Sequence, residues 1–274
     1  MQVSYWHMFG RRNKLSQQRK SANHHSKQAL QDWYSRELGQ ALLETEKREL
    51  ERLLPDLFGY HLLQVGSPMG EVLSDSSRIS HRILLESEQR LNFDNTSSSP
   101  NLWGCPDALP ICSDSVDVVI LPHTLEFEED PHQVLRETDR VLVPEGHVVI
   151  LGFNPWSLWG LWRIFFSRWV GTPWTGQFRS MLRIKDWLSL LGYDVVQTRN
   201  YFFRPPLQHV ALMKRLTVLE TLGGRWWRIF GAAYLVVAKK RVFTYTPIKP
   251  SWKIRRKMMG GPDLVKPSIN RFRK

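Results

Sequence analysis

The sequence predicts an α/β fold built on a buried, mostly parallel sheet, and three observations carry that prediction. Residues 60–65, 81–85, 116–121 and 147–151 are short apolar runs rich in Val, Leu and Ile, the continuous pattern of strands covered on both faces. Between the last two, Val134, Leu135, Thr138 and Val141 or Leu142 recur at helical spacing, with Pro131 placed for the first turn. Strand, helix and strand in that order form a crossover unit joining two parallel strands.

The remaining elements follow in chain order. Residues 1–27 are polar and aperiodic, which predicts a disordered basic arm. From Lys27 to Leu54 a helix is expected, because Leu30, Trp33 or Tyr34, Leu38, Ala41 or Leu42, Leu50 and Leu53 or Leu54 share one stripe. Pro55 ends it and Gly59 turns the chain into the first strand. Gly66 to Gly70 reads as a loop, Glu71 to Ser80 as a weak helix and Asn92 to Pro100 as a polar loop. Pro122 stops the strand begun at Val116, and Pro144, Glu145 and Gly146 end the crossover helix and turn the chain.

An aromatic insertion, residues 153–180, holds five of the twelve tryptophans. Trp159, Trp162, Phe166 and Trp169 fall on one helical stripe. The plain reading of the stripe is a helix covering the sheet or the site mouth, and the alternative is an interfacial surface at a lipid headgroup boundary. Arg183 to Leu191 predicts a helix closed by Gly192, and Tyr193 to Phe203 a strand broken by Pro205 and Pro206. Leu207 to Leu222 reads as partly helical and Gly231 to Ala238 as a final strand. The expected division is therefore a domain over 28–243 between the N-terminal arm and a basic, disordered tail over 244–274.

Composition narrows the classes. The chain's 274 residues, 42% of them hydrophobic, suffice for one sizeable core. Cys105 and Cys112 form neither a disulfide framework nor a zinc pattern, so no metal and a reducing, cytoplasmic setting are expected. No apolar run is long enough to span a bilayer. The net charge of +12 would suggest nucleic acid, but it is concentrated at the ends. Residues 1–28 carry six basic groups and no acid, residues 244–274 carry nine against Asp263, and the middle holds 23 basic and 25 acidic groups. The tails are either solvated segments or peripheral contacts for RNA or a membrane surface.

The segment with Asp117, Val119, His123, Leu125 and Glu126, followed by Asp130, Pro131, Leu135, Arg136, Glu137, Arg140, Val141, Leu142, Pro144 and Gly146, resembles the class I S-adenosylmethionine (SAM) dependent methyltransferases. The likeness is to the type 11 group that methylates quinones and other small molecules. It implies a Rossmann-like class I methyltransferase fold: a mostly parallel seven-stranded sheet, the last strand antiparallel, helices on both faces, and SAM as cofactor.

In an open parallel sheet, ligands bind beyond the carboxyl ends of the strands at the switch point. In the resembled family the first loop reads acidic-x-G-x-G-x-G, and here Gln64, Val65, Gly66, Ser67, Pro68, Met69 and Gly70 stand in its place. The acid has become an amide and the middle glycine a proline, so the cofactor loop is degenerate. A lost charged hydrogen bond is worth about 1.5–3 kcal/mol. Glu86, about 20 residues after Gly66, stands where a carboxylate would take the ribose hydroxyls, with Glu88 as its fallback. The segment CPDALP resembles the family's adenine-binding D-x-E-x-L-P, with Cys105 in the acid's place and Asp107, Ala108 and Leu109 left to contact the ring. Leu121 and His123, ending the fourth strand, complete the implied cofactor set.

His123 and Asn154 are the catalytic candidates, each with a plainer structural reading: a packing or loop-capping residue for His123, an Asn-Pro turn for Asn154. The function expected is methyl transfer from SAM to an unidentified, apolar small molecule. The alternative is a non-catalytic methyltransferase-like scaffold whose basic tails touch RNA or membrane. RNA methylation gains only from the tails, since Leu121-Pro122-His123-Thr124 replaces the N/D-P-P-Y/F motif of many amine methylases.

Overall fold

A computed structural model describes residues 30, 32–67, 72–87, 101–160, 176–203 and 231–242. The expected arm, the tail, the loop over 92–100, the helix over 207–222, and Gly70, Glu88, Trp162, Phe166 and Trp169 lie outside them.

The apolar runs form the sheet. Its strands are β1 (His61–Val65), β2 (His81–Glu86), β3 (Asn101–Trp103), β4 (Val116–Pro122), β5 (Leu142–Phe153), β6 (Tyr193–Tyr201) and β7 (Ala233–Lys240). They lie in the order β3-β2-β1-β4-β5-β7-β6. The pairs from β3 through to β5 are all parallel, and β7 runs antiparallel to both β5 and β6. The reversal between β1 and β4, neighbours in space but not in sequence, creates the switch point.

Because side chains alternate along a strand, each central strand feeds two cores. Leu62, Val118, Ile120, Val149 and Leu151 pack to one side, under helix α1 (Glu37–Leu53) through Leu38, Leu42 and Leu50. Leu63, Val119, Leu121, Val148 and Ile150 pack to the other, under α3 (Pro131–Val141) through Val134 and Leu135, and α4 (Met181–Leu190) through Ile184 and Leu188. Asp130 caps α3 by accepting from His132 N and Gln133 N, and Pro131 occupies its first turn, where no N–H is needed.

The structure corrects several expectations. The helix expected from Lys27 breaks at Arg36, whose backbone is extended (φ −85°, ψ 159°), and restarts at Glu37. Gly39 makes the fold-back possible, since a Cβ there would lie 2.4 Å from the carbonyl oxygen of Trp33. Residues 72–80 form turns and no helix, and the Leu73 N–H donates to the Gln64 side chain at 2.8 Å. The turn expected at 144–146 sits inside β5, where Glu145 is left-handed (φ 65°) and the pairing with β4 shifts register. Two short elements carried no periodic signal: β3, and the single-turn helix α2 (Thr124–Phe127). Trp159 is fully buried against Trp33 and Phe202, so the start of the aromatic insertion is core on this residue, while Trp156 is exposed.

Candidate cofactor pocket

A cavity opens beyond the carboxyl ends of β1, β2 and β4, bounded by Gly66, Ser67, Glu86, Pro106, His123 and Thr124. Its rim begins where β1 runs out. Gly66 is left-handed (φ 82°), a conformation that costs any other residue about 1–2 kcal/mol. Its N–H donates to Leu85 O at 2.7 Å, tying the loop to β2. Thr124 Oγ1 donates to Val65 O at 2.6 Å, tying the loop to the end of β4. Ser67 donates its hydroxyl to Glu86 Oε1, so the carboxylate ending β2 faces the glycine turn.

Gln64 is fully buried and works inside the loop. Its Oε1 accepts from Leu73 N at 2.8 Å and its Nε2 donates to Gly66 O at 3.1 Å. The amide therefore holds the shape of the turn in the position where the resembled family carries an acid. Gln64 is absent from the cavity's described lining.

The segment after β3 is held by α3. Glu137 Oε2 accepts from Leu109 N at 3.0 Å, and Arg140 donates to Leu109 O and Ile111 O at 2.8 Å each. The hydrogen bond from Arg140, opposed by partial burial, holds the Glu137 carboxyl below its usual pKa. The amides of Ala108 and Leu109 are thus committed, to Cys105 O and to Glu137 respectively, and Asp107 and Cys105 are exposed. Pro106 lines the cavity and has no N–H to offer a ring. Replacing Arg140 by alanine is expected to cost about 1.5–3 kcal/mol and to speed hydrogen exchange at Leu109, which urea titration and exchange mass spectrometry would read.

His123 sits at the mouth of β4 with a left-handed backbone (φ 53°, ψ 17°) and is 2% exposed. Its Nδ1 lies 2.9 Å from Glu126 Oε2 and its Nε2 2.9 Å from Glu46 Oε1. Burial would push its pKa down, but the charges of Glu126 and Glu46 and their hydrogen bonds outweigh it and raise it to about 10. At neutral pH the ring is an imidazolium donating from both nitrogens, so it has no lone pair with which to take a proton. The ring of Phe153 packs against it, centroids 4.1 Å apart.

Glu46 also accepts from Tyr34 OH at 3.3 Å and from Tyr201 OH at 3.5 Å. Burial and then the Glu46 carboxylate raise both phenols well above their usual range, so both keep their protons. Glu126 Oε1 accepts from Phe153 N.

Asn154 is buried away from the cavity's described lining. Its Nδ2 donates to Gly231 O at 3.0 Å and its Oδ1 accepts from Trp156 N at 3.1 Å, the geometry of an Asx turn. Leu121 is fully buried in the core beneath α3, and Pro122 takes its place at the cavity.

The sequence profile of the family described as "Methyltransferase domain" matches residues 87–150, which run from the end of β2 to β5 and include α3. The fold is class I methyltransferase-like. Uncharacterized protein YafS of Escherichia coli K12 is 29% identical over 221 residues, 80% of this chain and 85% of that one. Uncharacterized protein Rv2003c of Mycobacterium tuberculosis is 26% identical over 183 residues, 65% of this chain and 62% of that one. Among solved structures, a chain of the complex between the Haloferax volcanii Trm112 methyltransferase activator and a methyltransferase aligns over 80% of this chain and 98% of its own. Its TM-score is 0.56 at 18% identity. A SAM-dependent methyltransferase from Thermotoga maritima aligns over 86% of this chain and 100% of its own, with a TM-score of 0.53 at 16% identity. These structures share the methyltransferase-like fold.

Within this methyltransferase-like domain, the structure brings Gly66, Ser67, Glu86 and His123 to one cavity and leaves Gln64, Asp107, Ala108, Leu109, Leu121 and Asn154 off its described lining. Glu46 escaped the sequence reading, although a signal existed. It continues the buried stripe Leu38, Leu42, Leu50 at four-residue spacing, and a carboxylate there needs a partner. Among the described residues no group of three or more His, Cys, Asp or Glu side chains is placed to hold a metal ion, and no helix is long and apolar enough to cross a membrane.

Proposed function

We propose that the chain is a SAM-dependent methyltransferase acting on a small molecule. The observation that supports this most directly is a left-handed glycine turn facing a carboxylate across a cavity at the switch point of a methyltransferase-like sheet. SAM suits these residues: Gly66 leaves room for backbone approach, the nearest atom to a Cβ built there being Thr124 Oγ1 at 3.6 Å. Glu86 offers acceptor oxygens suited to ribose hydroxyls. When bound, SAM supplies an already activated methyl group, so the protein's part is to align donor and acceptor and exclude water.

His123, held as an imidazolium, serves the pocket as a fixed cation and loop anchor. The acceptor is therefore a nucleophile that gives up no proton to His123 in the transfer. An apolar acceptor suits the apolar part of the cavity lining, Leu30, Leu85 and Phe127.

A second reading, a binding module without catalysis, draws on the internal commitment of Gln64 and on Pro106, which together thin the polar contacts available to SAM. Calorimetric titration of the full chain with SAM and S-adenosylhomocysteine separates the two. Micromolar binding of both is expected. A folded sample showing no binding at millimolar ligand would make the binding-module reading the better one.

A further inference from the structure

We propose that Glu46 is a positioning residue of the cofactor pocket: its carboxylate, carried by the covering helix α1, holds His123 and so ties the docked helix to the pocket wall. The inference rests on the methyltransferase reading for its ligand, and on geometry for the rest.

A direct series of contacts leads from α1 to the glycine turn. Glu46 Oε1 lies 2.9 Å from His123 Nε2, with side-chain exposures of 0% and 1%. His123 holds a left-handed backbone without being glycine, which persists only where the surroundings over-determine it. Three contacts do so: Glu46 on one ring nitrogen, Glu126 on the other, and Leu151 O accepting the His123 N–H at 3.0 Å. The next residue, Thr124, holds Val65 O, and Gly66 follows. Leu30, which precedes α1, lines the same cavity as His123 and Gly66. A ligand seated there touches both the N-terminal segment and the loop that Glu46 fixes, so ligand binding and docking of α1 are coupled free energies.

The groups that bear on this centre come from several elements. Tyr34 and Tyr201 face Glu46, Tyr234 and Arg179 act on Glu126, and Glu49 acts on Tyr201. The phenols stay protonated, so titration of the centre between pH 6 and 10 reports on His123.

The test uses the full chain with Glu46→Gln, whose amide oxygen still accepts one hydrogen bond, and Glu51→Gln at an exposed position of the same helix as control. Three quantities are read: the His123 ring nitrogen shifts by NMR against pH, amide exchange at Thr124 and Gly66, and the dissociation constant for S-adenosylhomocysteine. Expected for Glu46→Gln are a lower His123 midpoint, faster exchange at both amides, and affinity weakened roughly tenfold. Glu51→Gln should leave all three unchanged. A Glu46→Gln protein that loses stability yet binds and exchanges as wild type does would reduce Glu46 to a core residue and overturn the proposal. If the wild type binds no S-adenosylhomocysteine, the methyltransferase reading falls and the exchange arm decides: unchanged exchange overturns the positioning role, and faster exchange upholds it.

Discussion

Glu126→Ala is expected to destabilise the domain by about 3–5 kcal/mol, a large share of the 5–15 kcal/mol typical of a folded domain. Glu126 is 3% exposed, and its two oxygens accept from His123 Nδ1 and Phe153 N. Removing it strands a buried cationic N–H and a strand-end amide, where no water can replace the lost acceptor. Urea titration of the wild type and variant would measure the loss. A difference below about 1 kcal/mol would show that His123 is not buried as a charged group.

The same cluster predicts a pH dependence. The pKa of His123 is raised from 6.5 to about 10 in the fold, so its ion pairing contributes fully below about pH 6.5. That contribution is lost as pH rises through about 10. The gap between wild type and Glu126→Ala should therefore narrow from pH 6.5 to pH 9.5. A gap that widens over that range would reverse the assigned charge.

Gly66→Arg is expected to abolish binding of SAM and S-adenosylhomocysteine while leaving the domain folded. The backbone at φ 82° costs a non-glycine residue about 1–2 kcal/mol, which lowers Tm by roughly 2–8 °C. The near neighbour of a Cβ is only Thr124 Oγ1 at 3.6 Å, so the arginine side chain has space to enter, and that space is the cavity between Ser67, Glu86 and His123. Calorimetry with circular dichroism melts checks both halves. Wild-type affinity in a folded variant would place the cofactor somewhere else on the domain.

How much was legible beforehand varies by element, for physical reasons. The strands β1, β2, β4 and β5 announced themselves because burial on both faces demands continuous apolar runs. β3 did not, since three residues at the sheet's edge, paired on one side to Leu84, Leu85 and Glu86, need no pattern. The weak helix expected over 71–80 is absent over 72–80, where the chain forms turns and the Leu73 N–H is taken by the Gln64 side chain.

The candidate site divides in the same way. Gly66 and His123 could be picked out through the family resemblance, and Glu86 by its distance from Gly66 along the chain. Glu46 could not be joined to His123, because 77 residues separate them and only the docking of α1 brings them together. The sequence by itself determined the sheet, its crossover helix and the glycine turn, all of which depend on local periodicity and backbone chemistry. Only the tertiary structure decided that Gln64 shapes its loop, that Arg140 and Glu137 hold the segment after β3, and that His123 is a charged anchor. Those roles depend on which polar groups are sealed from water together, and that is set by packing between distant segments.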